Sequence, residues 1–204
     1  MKSQIRLLGI DDAPFNLGDK TVPVIATFFR GGEWMDGVLS TQVNVDGDDA
    51  TYQLIQMINN SKFKPQLQAI LLDGIAVGGF NVINIHSLNQ HTGLPVIVVV
   101  RKMPDFEKLE QTLQKLGMEK KYQLMEKAGK PKEVNVKERK APEGKALERK
   151  ALEGKIFIQA AGIALEEAVK IIKLCCTHSY IPEPIRTAHL IGAGLVKGES
   201  KGRA

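Results

Sequence analysis

Two hydrophobic periods take turns along this chain, and the switches between them predict its elements. The apolar run at residues 4–10 (QIRLLGI) predicts a buried first strand. TVPVIATFFR at 21–30, rich in β-branched and aromatic residues and closed by Gly31-Gly32, predicts a second. In GVLSTQVNVDG (37–47), Leu39, Thr41, Val43 and Val45 alternate with Ser40, Gln42, Asn44 and Asp46, the period of a half-buried strand. Short connections join these three as an antiparallel meander. Helical spacing follows: Asp48 stands where an N-cap belongs, ahead of Thr51, Leu54, Ile55 and Ile58 at i, i+3, i+4 and i+7. LQAILLD (67–73) is a short apolar strand, and a helical or mixed segment covers 80–91. PVIVVVR (95–101), apolar almost throughout, reads as an interior parallel strand. Pro104 and Asp105 open a helix carrying Phe106, Leu109, Leu113 and Leu116. KIFIQAAG, from Lys155, gives a last strand, IALEEAVKIIKLCC (163–176) an amphipathic helix, and Pro184 starts a final one.

Three antiparallel strands followed by strand–helix units that add parallel strands predict an α/β fold. Its mixed sheet is flanked by helices, and the ribonuclease H-like arrangement has this order. One segment breaks the pattern: ERKAPEGKAL (138–147) returns almost unchanged as ERKALEGKIF (148–157). No repeat architecture uses two copies of so short a unit. A charged surface extension at about 130–155 is expected instead, whether a protruding hairpin, a mobile loop or an arm that pairs with another chain.

Composition narrows the class. The 204 residues suit a single domain spanning 1–204, and 43% hydrophobic with 25% charged residues describes an ordinary globular protein. No apolar run approaches the ~20 residues of a membrane helix, and MKSQIRLLGI lacks a signal-peptide core, so a cytoplasmic protein is expected. The two cysteines, Cys175 and Cys176, are adjacent, which excludes a disulfide framework or zinc knuckle. Their helical spacing from Val169 and Ile172 favours core packing. The net charge of +5 leans toward polyanionic partners, although lysine-rich loops carry much of it and a solvated surface accounts for it equally well.

Candidate chemistry gathers at strand ends. Asp11 and Asp12, Asp46, and Asp73 each close an apolar run. Carboxylates converging on one rim of a sheet repel one another unless a divalent cation neutralises them. Magnesium, which prefers oxygen ligands and binds through one or two carboxylates plus substrate phosphates, is the natural guest. That is equipment for metal-assisted phosphodiester hydrolysis. Asp48 and Asp49 read as cap or turn residues. Gly74, Gly78 and Gly79 follow Asp73 without a Walker or Rossmann spacing. Of the histidines, His86 and His91 are five apart, wrong for a zinc pair on one helix face; His178 has no motif, and His189 lies in the opening turns of the last helix. Alternation groups Asp11 with Leu7 and Gly9, and Asp12 with Leu8 and Ile10, and by itself does not choose between the two acids.

Taken together in order, these segments resemble a known family. GIDDAPF is similar to the first acidic motif of endonuclease V, LLDGIAVGGFNVINIHSLNQHTGLPVIVVVRK to its DG-rich motif, and IPEPIRTAH to its C-terminal signature. VNVDGDDAT (43–51) and GESKGR (198–203) resemble more closely an archaeal branch called endonuclease dU. The resemblance implies a ribonuclease H-like fold and a magnesium- or manganese-dependent endonuclease acting near deaminated bases; nucleic acid is the expected partner, DNA ahead of RNA, with the choice between them left open. It places Asp11 and Asp73 on the metal, His189 beside it as a catalytic residue, and Asp12 in a supporting or turn-capping role. Arg101, Gly74, Asn81 and Arg186 become candidates for substrate contact, with Lys102 and the basic tail near phosphate. Three departures stand out. The family's third-strand glutamate has no counterpart closer than Asp46, which is therefore taken as the third ligand. The aromatic-proline wedge is absent before VLSTQ, and Gly79-Phe80-Asn81 replaces the family's His-Pro-Arg. A nucleic-acid-binding protein without cleavage, or a hydrolase of another phosphate ester, remain alternatives, and a homodimer stays open.

Overall fold

The computed structural model describes residues 4–136 and 154–201. The tandem at 138–157 lies outside these residues except for its last four. Strands β1 (Arg6–Asp12), β2 (Thr21–Arg30) and β3 (Trp34–Asn44) form the expected antiparallel meander. β4 (Ala69–Asp73) and β7 (Val96–Val100) run parallel to β1, with Ile10 opposite Leu72 and Leu72 opposite Val98. Two more strands, β8 (Lys132–Asn135) and β9 (Lys155–Ala161), complete a seven-stranded sheet in the order β3-β2-β1-β4-β7-β9-β8.

Alternation distributes the side chains of each strand between two cores. Leu8, Ile10, Ile70, Leu72 and Val98 face the helices α1 (Ala50–Asn59) and α2 (Ile85–Thr92). Leu7, Leu71, Ile97 and Val99 face α5 (Leu165–Cys175) and α6 (Glu183–Lys197). On the first face Phe28 stacks on Phe63 with ring centroids 4.5 Å apart, a pair worth about 0.5–1.5 kcal/mol beyond its burial. A third, small cluster joins the hairpin of β5 (Ala76–Val77) and β6 (Asn81–Val82) to α3 (Phe106–Lys115) and α4 (Glu119–Lys127) through Val82, Leu113 and Met125. Among the described residues no helix is long and apolar enough to cross a membrane.

Four expectations need correction. β9 runs antiparallel to β7, not parallel. The crossover through α3 and α4 returns the chain as β8 one place beyond the sheet edge, and β9 folds back as a hairpin partner into the gap. β8 itself lies within the span expected to be a surface insertion; its charged side chains point outward while Val134 and Val136 are buried. α1 starts after Asp49, not Asp48. The Asp49 carboxylate turns back to the Asn44 backbone N–H (3.1 Å), and Asp48 meets Lys121 Nζ at 3.3 Å. Finally, α4 went unpredicted because EKKYQLMEK is mostly polar: besides Met125 it is anchored by the buried Lys121, whose ammonium donates to Asp46 O, Gly47 O and Phe80 O.

Candidate metal centre

The site is assembled by laying α6 across β1. Nothing but glycine permits this at position 9: a Cβ on Gly9 would stand 2.3 Å from the Pro184 carbonyl carbon. The hydroxyl of Thr27 donates to the Pro184 carbonyl oxygen at 2.6 Å and fastens the same turn to β2. Farther along the helix Gly192 allows a second close approach, where a Cβ would be 3.0 Å from Ala13 Cα. Between these two anchor points His189 reaches the end of β1, its Nδ1 lying 2.8 Å from Asp11 Oδ2.

Asp11 follows Ile10, and Asp73 follows its register partner Leu72, so the two acids sit side by side at the carboxyl ends of adjacent parallel strands. Both belong to the α6 face of the sheet. Asp11, Asp73 and His189 each offer a ligand atom within 4.8 Å of the others. Asp11 is only 5% exposed. Burial above all, then the charges of Asp73 and Asp12, push its carboxyl up to about 9, against the opposing pull of the Asp12 N–H and Arg101. Burial also raises Asp73, opposed by the positive charge of Arg101, whose Nη2 is 3.3 Å from Asp73 Oδ2, and by His189. Two neighbouring acids both raised by burial, with the half-exposed Arg101 guanidinium beside Asp73 alone, form an electrostatically incomplete site. A divalent cation would complete it. The two carboxylates are the hard oxygen donors that magnesium or manganese accepts, with solvent and substrate oxygens for the remaining positions, while the imidazole of His189 is the softer donor of the three.

The cluster opens into a cavity of about 610 Å3 whose walls include Pro14, Phe15, Gly74, Arg101 and Lys197. Gly74 and Val100 also line a second, apolar cavity of about 260 Å3, bounded by Phe80, Phe106, Leu109 and Met125. Asp12, on the opposite face of β1, accepts the Gly78 N–H at 2.8 Å and ties the β5–β6 hairpin to the rim.

Three residues singled out in the sequence stand elsewhere. Asp46 does not join the cluster, because β2 lies between its strand and β1. Held in the left-handed region (φ 52°), it accepts the Phe80 N–H at 2.7 Å. The third member of the cluster is His189 instead. Asn81 is fully buried and spends its amide inside the protein, accepting from the Ala50 N–H (2.9 Å) and donating to Asn44 O (2.9 Å) and Asp49 Oδ1 (2.7 Å). Arg186 pairs with the buried Glu183 at 2.7 Å and does not line the cavity. The other histidines are also remote: His86 contacts Lys127 O (3.0 Å), His91 contacts Ser87 O (2.8 Å), and His178 lies 3.6 Å from Glu183. The thiol of Cys175 is buried, donates to Gly31 O, and is pushed up by burial. Sequence reasoning missed Lys197 and Phe15. The signal for Lys197 was its i+8 spacing from His189 on one helix, and that for Phe15 its place directly after the acid pair and Pro14.

The family described as endonuclease dU matches residues 3–196. The chain belongs to the endonuclease dU family. It is 45% identical over 207 residues to a UPF0215 protein of Methanothermobacter thermautotrophicus, covering 100% of this chain and 94% of that one. It is 44% identical over 205 residues to a UPF0215 protein of Methanosarcina acetivorans, covering 100% and 97%. Among solved structures, an Archaeoglobus fulgidus protein superposes with a TM-score of 0.79 at 33% identity, over 95% of this chain and 99% of that one. Endonuclease V of Ciona intestinalis, bound to a 24mer DNA containing an inosine followed by a ribo-adenosine, gives a TM-score of 0.54 at 18% identity, over 91% and 82%. The catalytic domain of human endonuclease V gives 0.55 at 16% identity, over 91% and 79%. These last two show that this endonuclease dU family member has the ribonuclease H-like fold of endonuclease V. The family is described as one of endonucleases.

Proposed function

We propose that this protein is a magnesium- or manganese-dependent endonuclease that cuts DNA strands beside deaminated bases. The observation that carries the proposal is the meeting of a buried carboxylate, a partly buried one and an imidazole within 4.8 Å at the head of an open cavity. Asp11 and Asp73 would hold the cation, which when bound supplies Lewis-acid stabilisation of charge building on the phosphate. Arg101 and Lys197, both on the cavity wall, draw the phosphate backbone toward the acids and should make binding strongly salt-dependent. His189 is tethered to Asp11 through Nδ1, which leaves Nε2 to exchange a proton with the leaving oxygen. Asp12 steadies the hairpin that walls the site. The adjoining apolar cavity, at about 260 Å3, falls below the ~300–1,000 Å3 of drug-sized sites and suits a single base taken out of its stack. The inosine-containing DNA bound by the Ciona neighbour supports a deaminated base as the target.

The test is cleavage of labelled strands carrying one uracil or one hypoxanthine, against undamaged strands, with magnesium, manganese or chelator. Asp73→Asn serves as the control. Metal-dependent nicking near the altered base, absent from the variant, is the expected result. Nicking that persists in Asp73→Asn, or tight salt-sensitive binding with no nicking in either metal, overturns it.

A further inference from the structure

The two edges of the seven-stranded sheet are built differently. β8 closes one edge with four residues, KEVN, and its Glu133 pairs with Lys155 at 3.3 Å. A short, charged strand is how proteins keep a sheet edge from pairing. β3 closes the other with eleven residues. β2 is its only strand partner among the described residues, so its outer row of N–H and C=O groups meets no other strand; at the Asn44 end that row is already taken, the N–H by Asp49 and the C=O by Gly47 and Asn81. From Gly37 to Asn44 the register with β2 is unbroken, and that run (GVLSTQVN) contains no Asp, Glu, Lys or Arg in a chain that is 25% charged. Its Trp34 end is protected: a bulge at Asp36, clamped by Arg30 at 2.6 Å, interrupts the register there.

The two helices above this edge are equally uncharged, and a cation comes near it where Lys62 stands over the Phe63 ring beside Gly37. α1, packed over β3, reads ATYQLIQMIN, and its neighbour α2 reads IHSLNQHT; neither carries an acid, lysine or arginine. Tyr52 on α1 is 61% exposed and Val38 on β3 is 42% exposed, while Leu39 and Thr41 are half-covered. A surface stripped of charge beside an open ladder has the character of an interface core. Nucleic acid does not fit it, because neither β3 between Gly37 and Asn44 nor α1 offers a cation to a phosphate.

We propose that the outer edge of β3 pairs antiparallel with β3 of a second copy of this chain. The two sheets then become one continuous sheet, with the α1 helices meeting across the two-fold axis. A two-fold antiparallel pairing sets the same strand against itself, so any charge in the run would face a like charge. The absence of charge from Gly37 to Asn44 removes that penalty, whereas pairing with a different protein would set no such condition on this strand. β2 separates this edge from β1 and the acidic cluster, so the inference stands whether or not the protein cuts nucleic acid.

Sedimentation of the full chain over a wide concentration range is the test. The expected mass is twice the 22.4 kDa chain, and Val38→Lys/Ser40→Lys, which sets four lysines along the two-fold seam, should halve it while leaving the circular dichroism spectrum native. A wild-type monomer at every concentration overturns the proposal, as does a dimer that survives both lysines. Should the double variant fail to fold, Val38→Cys carrying a nitroxide decides. Cys175 and Cys176 are both fully buried, so the label reports position 38 alone. A dipolar coupling between two labels supports the paired edge, and its absence in a folded, labelled protein overturns it.

Discussion

Asp73 and Asp46 are both aspartates just past an apolar strand, and their surroundings could hardly differ more. Asp46 is satisfied from within. Its carboxylate accepts the Phe80 N–H, its backbone N–H donates to Gly78 O at 2.8 Å, and its carbonyl accepts from the nearly buried Lys121 at 2.7 Å. Asp73 is partly buried beside a second acid, and its one direct cation among the described residues, Arg101, stands 3.3 Å away. An acid whose hydrogen bonds close locally organises a turn; an acid packed against another acid is the mark of a ligand site. Position after a strand does not tell the two apart, whereas strand order does. β1 and β4 are neighbours, and β3 is two places removed.

The sharpest way to break this contrast is substitution at both positions. Asp73→Asn should lower kcat/KM for the damaged strand by at least about 10³-fold, roughly 4 kcal/mol of transition-state stabilisation. Asp46→Asn, which keeps an acceptor and tolerates the left-handed backbone, should stay within about threefold. Equal losses would erase the distinction. Next in size is Gly9→Ala. The new methyl group has no room beneath Pro184, so α6 must shift and carry His189 away from Asp11. Urea unfolding should show a loss of about 1–3 kcal/mol, and cleavage should fall further than stability alone explains.

Asp11 makes a prediction of opposite sign. Its carboxyl is held near 9 in the folded protein and near 3.8 when unfolded. Between those values the native state keeps a proton that the unfolded chain has released, so the metal-free protein loses stability as pH rises from about 4 to about 9. In chelator, Asp11→Asn should flatten that slope and raise stability near neutral pH by about 1–3 kcal/mol, even as it abolishes cleavage. A variant less stable than wild type at neutral pH would mean that the acid is satisfied internally. The smallest effect belongs to Asp46→Ala. Losing the bond to Phe80 and placing alanine at φ 52° should cost about 1–2 kcal/mol in urea unfolding with little change in kcat/KM.

Much of this molecule is legible in its sequence, and the gaps have physical causes. The β1–β3 meander and the two central parallel strands follow from alternation and apolar runs, because burial on one or both faces writes itself directly into residue type. Asp11, Asp73, His189 and Arg101 can be named from motifs, and folding brings them together. Their convergence depends on α6 crossing β1 at Gly9, which no local pattern announces. β8 is hidden because only Val134 and Val136 point inward among charged neighbours. The direction of β9 is hidden because an apolar strand looks the same either way. Asp46 suggests itself as a ligand because it is the acid nearest the family's third-strand glutamate, but the partner that meets Asp11 lies 178 residues away on a helix.

The central claim is that Asp11 and Asp73, with His189 beside them, hold one divalent cation. Titration of the full-length protein with manganese, read by the loss of the free-ion electron paramagnetic resonance signal, addresses it without reference to activity. One ion should bind per chain at neutral pH, with affinity at least about tenfold weaker in Asp73→Asn and unchanged in Asp46→Asn. Undiminished binding in Asp73→Asn, or binding lost only in Asp46→Asn, would contradict it.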